Sequence, residues 1–265
     1  MVSAQQSPVL TRTEGRIGIL ELNRPDKHNC LSGEVIDRLH QGLDQFEAAP
    51  AVSVVLLCAK GNSFSAGADL ADVERKRNDP QALRRFLESG IALQRRFETG
   101  HLPVVAAVQG LCLAGGLEMM LACDVTFCAR SARLGDQHAR FGLLPGWGGS
   151  QRLPKIVGLR RALDLFLSGR WLDAETAQQW GLVNYVVEDA ALLPEAMQYC
   201  ATLAGYSSEG LAAMKKLARD GYEMSLDRGL RMETDLAVEL LRGKAVSEGL
   251  SAFVERRKPN FVPAD

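Results

Sequence analysis

A carboxylate in an apolar run, Glu118, is the residue of this chain whose setting most favours chemistry. It stands within residues 117–121, LEMML. A charged carboxylate in such surroundings is costly unless it is paired or used in a reaction. On a helix that starts near Gly116 it would lie in the first turn, where the helix dipole stabilises negative charge. These features predict either a general acid/base or a structural carboxylate at a helix terminus or in an ion pair.

Two turns of small residues could supply hydrogen-bond donors near this acid. They are Ala66-Gly67-Ala68 and Leu113-Ala114-Gly115-Gly116, and each follows a stretch that reads as a strand. Small residues let a ligand approach the backbone closely. Two N–H groups that converge on one carbonyl oxygen form an oxyanion hole, which suits chemistry through an enolate or a tetrahedral oxyanion. The same turns also fit a simpler role as sites of close packing.

The surrounding pattern alternates strands and helices. Short apolar, β-branched runs predict strands at residues 16–22, 52–59, 104–108, 125–129 and 182–187. Amphipathic spacing predicts helices after Ser32, from Pro80 to Gly100, after Gly115, at residues 159–167 and at residues 174–180. This order predicts an α/β fold with parallel strands, in which ligands bind outside the carboxyl ends of the strands.

The last quarter of the chain contains helical patterns only, from Glu195 onward. We therefore expect an α/β core over residues 1–200 that carries the site, followed by a helical region over residues 201–265. Residues 71–79, ADVERKRND, are heavily charged. They fit a solvated helix or loop, or a basic flap near a phosphorylated ligand.

Composition narrows the class of protein. The 265 residues are 46% hydrophobic and 24% charged, with a net charge of −1, which argues against nucleic acid as the main partner. No apolar run reaches membrane-spanning length, and the N-terminal 15 residues do not resemble a secretory signal. The six cysteines form no CxxC pair and the four histidines have no metal-ligand spacing. We expect a cytoplasmic protein with reduced thiols and no metal.

Several motifs together resemble the crotonase superfamily, the enoyl-CoA hydratase/isomerase family. They are FSAGADL, AVQGLCLAGGLEMMLACD, GLLPGWGGSQRLPKIVG and AFVERRKPNF, in that order, and the resemblance runs from Ile17 to Phe261. It implies a spiral of ββα units, a homotrimer or a dimer of trimers (a homohexamer), and an acyl-CoA thioester substrate of the kind found in fatty acid metabolism. Coenzyme A would enter as part of the substrate, with no other cofactor.

The resemblance also implies roles for individual residues. The backbone N–H groups of Ala68 and Gly115 would hold the thioester oxygen, and Glu118 matches the first of two acid/base glutamates of hydratases. Lys258 and Phe261 match positions that reach the CoA nucleotide, often across a subunit boundary. The helical C-terminal region would thus serve oligomerisation and CoA contact. Further positions expected to bind the substrate or CoA are Ala66, Asp69, Leu70 and Gly116.

One departure bears on the reaction. Counting from Cys123-Asp124 without a gap, the second glutamate falls at residue 138, which is His138. Histidine can act as acid or base near neutral pH, and Asp136 is a spare carboxylate beside it. The leading hypothesis is a lyase that hydrates a 2-enoyl-CoA to a 3-hydroxyacyl-CoA. The alternatives are an isomerase, an acyl-CoA hydrolase or a decarboxylase on the same scaffold, a structural His138, or a CoA-binding protein without activity.

Overall fold

The computed structural model describes residues 7–261. Residues 1–6 of the N-terminal stretch and residues 262–265 of the expected helical region lie outside the described residues. Ten strands form two sheets within the described part. They are β1 Val9–Glu14, β2 Ile17–Leu22, β3 Val54–Ala59, β4 Ser63–Ser65, β5 Val104–Val108, β6 Leu111–Leu113, β7 Val125–Ala129, β8 Arg133–Gly135, β9 Leu172–Asp173 and β10 Tyr185–Val187.

The helices of the described chain lie between these strands and after them. They are α1 Gly33–Glu47, α2 Leu70–Lys76, α3 Pro80–Thr99, α4 Gly115–Leu121, α5 Gly149–Val157, α6 Leu159–Ser168, α7 Ala174–Gln179, α8 Leu192–Ala204, α9 Ser208–Tyr222, α10 Leu226–Leu240 and α11 Lys244–Val254. Short 3-10 turns add Pro25–Lys27, His138–Phe141 and Asp189–Ala191.

The larger sheet has six strands in the order β1-β2-β3-β5-β7-β10. From β2 to β10 all neighbours are parallel, as the alternation of strands and helices predicts. Strand β1 is antiparallel to β2 and was missed by the sequence patterns. Its residues are mostly exposed or half-buried at the edge of the sheet, so they lack the apolar run by which the other strands are recognised.

The smaller sheet has four strands in the order β4-β6-β8-β9, all of them two or three residues long. Its strands β4, β6 and β8 each follow a strand of the larger sheet, so the chain makes repeated ββα turns. This is the spiral that the sequence resemblance implies. The short strands were not predicted, because segments of this length carry no periodic signal.

Apolar side chains from both sheets and from α1 form one core. Strands β3 and β5 are buried at every residue, which explains their continuous apolar sequences. The side chain of Ser32 caps α1 by accepting a hydrogen bond from the N–H of Val35, as predicted. The predicted apolar face of this helix is buried, with Phe46 only 1% exposed. The core therefore fixes the strand ends from which the small-residue turns emerge.

The region after β10 is helical, as expected. Helix α8 packs on strands β3, β5 and β7 of the larger sheet. Helices α9 to α11 extend beyond it, and α10 buries none of its residues within the chain. Among residues 7–261, no helix has both the length and the apolar character needed to cross a bilayer.

Candidate active site

Helix α4 begins directly after β6 with an unusual backbone conformation. Ala114 precedes the helix at φ 48° and ψ −118°, a region that residues with a Cβ rarely occupy. Its own N–H donates to the carbonyl of Gly135 at 3.0 Å, which fixes the turn against β8. Backbone strain of this kind concentrates where a site needs a particular geometry.

The second small-residue turn meets the first at this point. A Cβ placed on Gly115 would lie 3.2 Å from the backbone N of Ala68, and one placed on Gly67 would lie 3.0 Å from the N of Gly115. The two amides are therefore neighbours, although they are 47 positions apart in sequence numbering. Within residues 7–261, neither N–H donates to a protein acceptor. Two adjacent, available donors can stabilise a developing oxyanion.

Close packing also requires glycine here. A Cβ on Gly116 would lie 2.4 Å from the carbonyl oxygen of Ser65, and one on Gly115 would lie 2.6 Å from Cζ3 of Trp147. These glycines are thus sites of close packing, whereas their role in an oxyanion hole stays a prediction. They let β4 and the indole of Trp147 approach the start of α4, and this approach brings the two amides together.

Glu118 occupies the first turn of α4, as predicted, and is 1% exposed. Its Oε1 accepts hydrogen bonds from the N–H groups of Trp147 and Gly149, both at 2.8 Å. Burial raises the pKa of Glu118 above its ordinary value of 4.5, while these two donors and His138 oppose the rise. The backbone therefore holds Oε1 of the carboxylate, and Oε2 accepts no hydrogen bond from these two donors.

The structure brings His138 next to this free oxygen. Its Nε2 lies 3.7 Å from Oε2 of Glu118. Its Nδ1 faces the buried Asp136, at 2.9 Å from Oδ2 and 3.0 Å from Oδ1. Burial alone would lower the pKa of His138, but the hydrogen bond and charge of Asp136, together with Glu118, raise it above 6.5. An imidazole and a carboxylate thus face each other, and the carboxylate lies in the helical turn that begins at Gly115.

The loop of residues 145–149 completes the site, and its role was missed by sequence reasoning. It supplies both N–H donors to Glu118, and its carbonyl at Trp147 accepts from Nη1 of Arg152 at 2.7 Å. Arg152 is held in turn by Glu98 of α3, with contacts of 2.6 and 2.9 Å. The signal available in the sequence was the second glycine cluster, Pro145 to Gly149.

Three large apolar side chains near the site belong to the core. Trp147, Phe86 and Met119 are buried, at 3%, 5% and 1% exposure, and belong to the main core cluster. Trp147 and Phe86 meet edge to face, with ring centroids 5.3 Å apart. Of the described buried side-chain polar atoms, the Nε1 of Trp147 alone lacks a hydrogen-bond partner. It lies against Gly90, where a Cβ would be only 2.3 Å away.

The expected binding residues around Ala68 have structural partners of their own. Ala66 donates its N–H to the carbonyl of His28 at 2.9 Å. Asp69 caps α2 and pairs with Arg24 at 3.0 Å, and this contact, working against burial, holds the pKa of Asp69 below its usual value. Leu70 is 50% exposed at the start of α2. Binding of substrate by these side chains remains a prediction.

Lys258 and Phe261 lie in the C-terminal segment after α11. Lys258 is exposed, and the ring of Phe261 lies 3.9 Å from where a Cβ of Gly249 would be. No hydrogen bond or ion pair of the described chain joins either residue to the Glu118 cluster. Their predicted contact with the CoA nucleotide is untested by this geometry.

Comparison with known proteins identifies the class. Residues 12–263 match the family model described as Enoyl-CoA hydratase/isomerase. The mixed α/β spiral, with its parallel sheets and helical C-terminal region, and this match define an enzyme of the crotonase superfamily. Within that superfamily, the chain belongs to the enoyl-CoA hydratase/isomerase family.

Individual relatives agree with this assignment. The chain is 34% identical to a probable enoyl-CoA hydratase of Rhizobium meliloti, over 96% of this chain and 97% of the relative. It is 31% identical to a crotonyl-CoA hydratase of Syntrophomonas wolfei, with the same coverage of both chains. Among solved structures, an enoyl-CoA hydratase from Bacillus anthracis superposes with a TM-score of 0.92, at 31% identity over 96% of this chain and 99% of that chain.

Proposed function

We propose that this protein hydrates a 2-enoyl-CoA to a 3-hydroxyacyl-CoA. The observation that carries the proposal is the opposition of Glu118 Oε2 and His138 Nε2 at 3.7 Å, beside the adjacent N–H groups of Ala68 and Gly115. A water oxygen about 2.8 Å from each of the two atoms would satisfy normal hydrogen-bond geometry. The site can therefore hold one water between a base and an acid.

The proposed reaction assigns each group one task. Glu118 takes a proton from the water as the water oxygen bonds to C3 of the enoyl group. The C2–C3 π electrons move towards C2, and the thioester oxygen gains negative charge that the N–H groups of Ala68 and Gly115 stabilise. His138 then gives its Nε2 proton to C2. Transfer of the proton on Glu118 back to His138 restores the starting state.

Several finer features belong to the same proposal. Coenzyme A enters as part of the substrate, so the chemistry needs no separate cofactor. We place the protein in the cytoplasm, since all six cysteines are free thiols, and we expect a homotrimer or a dimer of trimers. Lys258 and Phe261 would then contact the CoA nucleotide, within one subunit or across a boundary.

The direct test is turnover of enoyl-CoA substrates. Purified protein is incubated with crotonyl-CoA and with longer enoyl-CoAs, and loss of the conjugated enoyl-thioester absorbance is followed. Glu118→Gln should lower kcat by about 10²–10⁴-fold, because general acid/base catalysis contributes on that order. Its amide oxygen can still accept from Trp147 and Gly149, so the fold should be kept. Wild-type protein that binds CoA but turns over no enoyl-CoA of any length would refute hydration.

The histidine at position 138 favours a second candidate function. A histidine in place of the second glutamate fits an enzyme that isomerises a double bond, hydrolyses the thioester or decarboxylates an acyl-CoA. His138→Glu separates the candidates. A hydratase should keep hydration activity after this change, whereas an enzyme built around the imidazole should lose its own reaction.

A further inference from the structure

Within residues 7–261, the side chain of Asp136 makes its hydrogen bonds to His138 alone. Its side chain is buried, and both oxygens lie within hydrogen-bond distance of Nδ1. Oδ1 also accepts from the backbone N–H of His138 at 3.1 Å. Within residues 7–261, its carboxylate forms no other hydrogen bond or ion pair. The hydrogen bonds of this buried carboxylate are therefore directed at a single residue, and two of its three contacts are to the imidazole.

The contact determines the state of one ring nitrogen, Nδ1. A carboxylate only accepts hydrogen bonds, so Nδ1 must carry a proton. When the ring is protonated, Nε2 then presents its proton to Oε2 of Glu118, 3.7 Å away. The hydrogen bond and charge of Asp136 raise the pKa of His138 against the effect of burial, so they stabilise the protonated ring.

The charges around the imidazole are compatible with its protonated form. Asp136 and protonated His138 are neutral as a pair, like a protonated carboxylic acid, and Glu118 is the other charged group facing the ring. Of the charged side chains on neighbouring elements, Asp164 pairs with Arg170 and Arg152 pairs with Glu98, while the side chain of Arg140 lies against Gly169.

We propose that Asp136 is a positioning residue that holds His138 as the proton donor of the reaction, so that the Asp136–His138 pair replaces the protonated second glutamate of a hydratase. This inference rests on the proposed function. The Nε2 proton goes to C2 of the substrate, while Nδ1 keeps its proton and Asp136 stays ionised. The reaction consumes only water and the enoyl-CoA, and no other reactant is needed.

The first test measures the imidazole directly, without turnover. The titration of His138 is followed by NMR, with its signal among the four histidines identified by its loss in His138→Gln. Asp136→Asn should move the titration midpoint to lower pH, since burial then acts without the opposing carboxylate. In wild-type protein, the Nδ1 proton should appear as a downfield, exchange-protected signal.

The second test is the pH profile of hydration. Loss of the carboxylate should lower kcat by about 10²-fold or more, with KM unchanged because Asp136 touches no substrate. The acid of the reaction is lost as pH rises through the pKa of His138. The high-pH limb of kcat/KM should therefore move to lower pH in Asp136→Asn, in parallel with the NMR midpoint. Asp136→Glu should restore part of the lost kcat and part of the shift in the high-pH limb, since it returns a carboxylate to this position.

The matched control is Asp164→Asn, whose carboxylate is half-exposed and paired with Arg170. It should leave the His138 titration and the pH profile unchanged. Two results would overturn the inference. One is an NMR titration midpoint of His138 that does not change in Asp136→Asn. The other is a high-pH limb of kcat/KM that stays in place although the midpoint moves. If Asp136→Asn fails to fold, absence of the protected Nδ1 signal in wild-type protein would do the same. Failure of wild-type turnover contradicts hydration itself, and the NMR comparison still decides whether Asp136 holds the ring.

Discussion

At the scale of single residues, the two oxygens of Glu118 differ in their environment. Oε1 accepts from two backbone N–H groups, and Oε2 faces His138. The two donors stabilise the ionised carboxylate, whereas burial favours its neutral form. The position of this one side chain therefore decides how well it can accept a proton from water.

Gly149 gives a sharp test of that position. A Cβ there would lie 2.9 Å from Cγ and 3.1 Å from Oε1 of Glu118. Gly149→Ala should displace the carboxylate and lower kcat at least tenfold, because small misplacements of reacting groups are costly. Gly221→Ala is the control, since a Cβ on that glycine of α9 meets no atom within 4 Å. Equal kcat values for the two variants would contradict the assigned position of Glu118.

At the scale of elements, the site depends on how α5 is attached to α3. Arg152 contacts Glu98 through two nitrogens and also binds Gln94 and the carbonyl of Trp147. Working against burial, Arg152 holds the pKa of Glu98 below its usual value. The stabilisation from Glu98 is therefore present above its unfolded pKa and is lost as pH falls through its folded pKa.

Removal of Arg152 should affect both stability and activity. Arg152→Met leaves the buried Glu98 without its main partner, a type of change that costs about 3–5 kcal/mol of unfolding free energy. The loop that holds Glu118 should also move and lower kcat. Arg95→Met is the matched control, since Arg95 binds the same carboxylate but its side chain is 59% exposed, and it should cost at most about 1 kcal/mol. The free energy of unfolding in denaturant and kcat would be measured for both variants. Similar losses of stability and kcat in the two variants would contradict the role of Arg152 in attaching α5 to α3.

At the scale of the whole molecule, the C-terminal helices leave an apolar surface exposed. Leu226, Leu241, Leu250 and Phe253 are 76%, 67%, 64% and 83% exposed on or beside α10 and α11. Helix α10 packs on α9 but contains no fully buried residue, and an amphipathic helix with this much exposed apolar surface is expected to have a partner. A second copy of the chain would cover this surface in the oligomer that we propose.

The mass of the protein in solution tests whether this surface is an interface between copies of the chain. Light scattering during gel filtration should give three or six times the chain mass of 28.8 kDa. Leu250→Glu should lower that mass, because it places a charge in the expected interface. Leu193→Glu, which changes a 42%-exposed leucine of α8, should leave the mass unchanged. A monomeric wild-type protein would refute the oligomer.

Much of the site followed from local sequence. The buried strands β3 and β5, the cap at Ser32, the position of Glu118 in the first turn of α4, and the helical region after β10 are all present as predicted. These features depend on periodicity, capping and glycine turns, which act over a few residues and can be read in order along the chain.

The sequence by itself determined the position of Glu118 in the first turn of a helix, the small-residue turns and the family. The tertiary structure alone decided which groups meet. The amides of Ala68 and Gly115 become neighbours only when β4 and β6 pair, and the donors to Glu118 come from a loop about 30 residues further on. Likewise, the count from Cys123-Asp124 left the role of His138 open, and only folding showed Asp136 on one ring nitrogen and Glu118 opposite the other. Contacts between distant segments depend on packing in three dimensions, which no local pattern encodes.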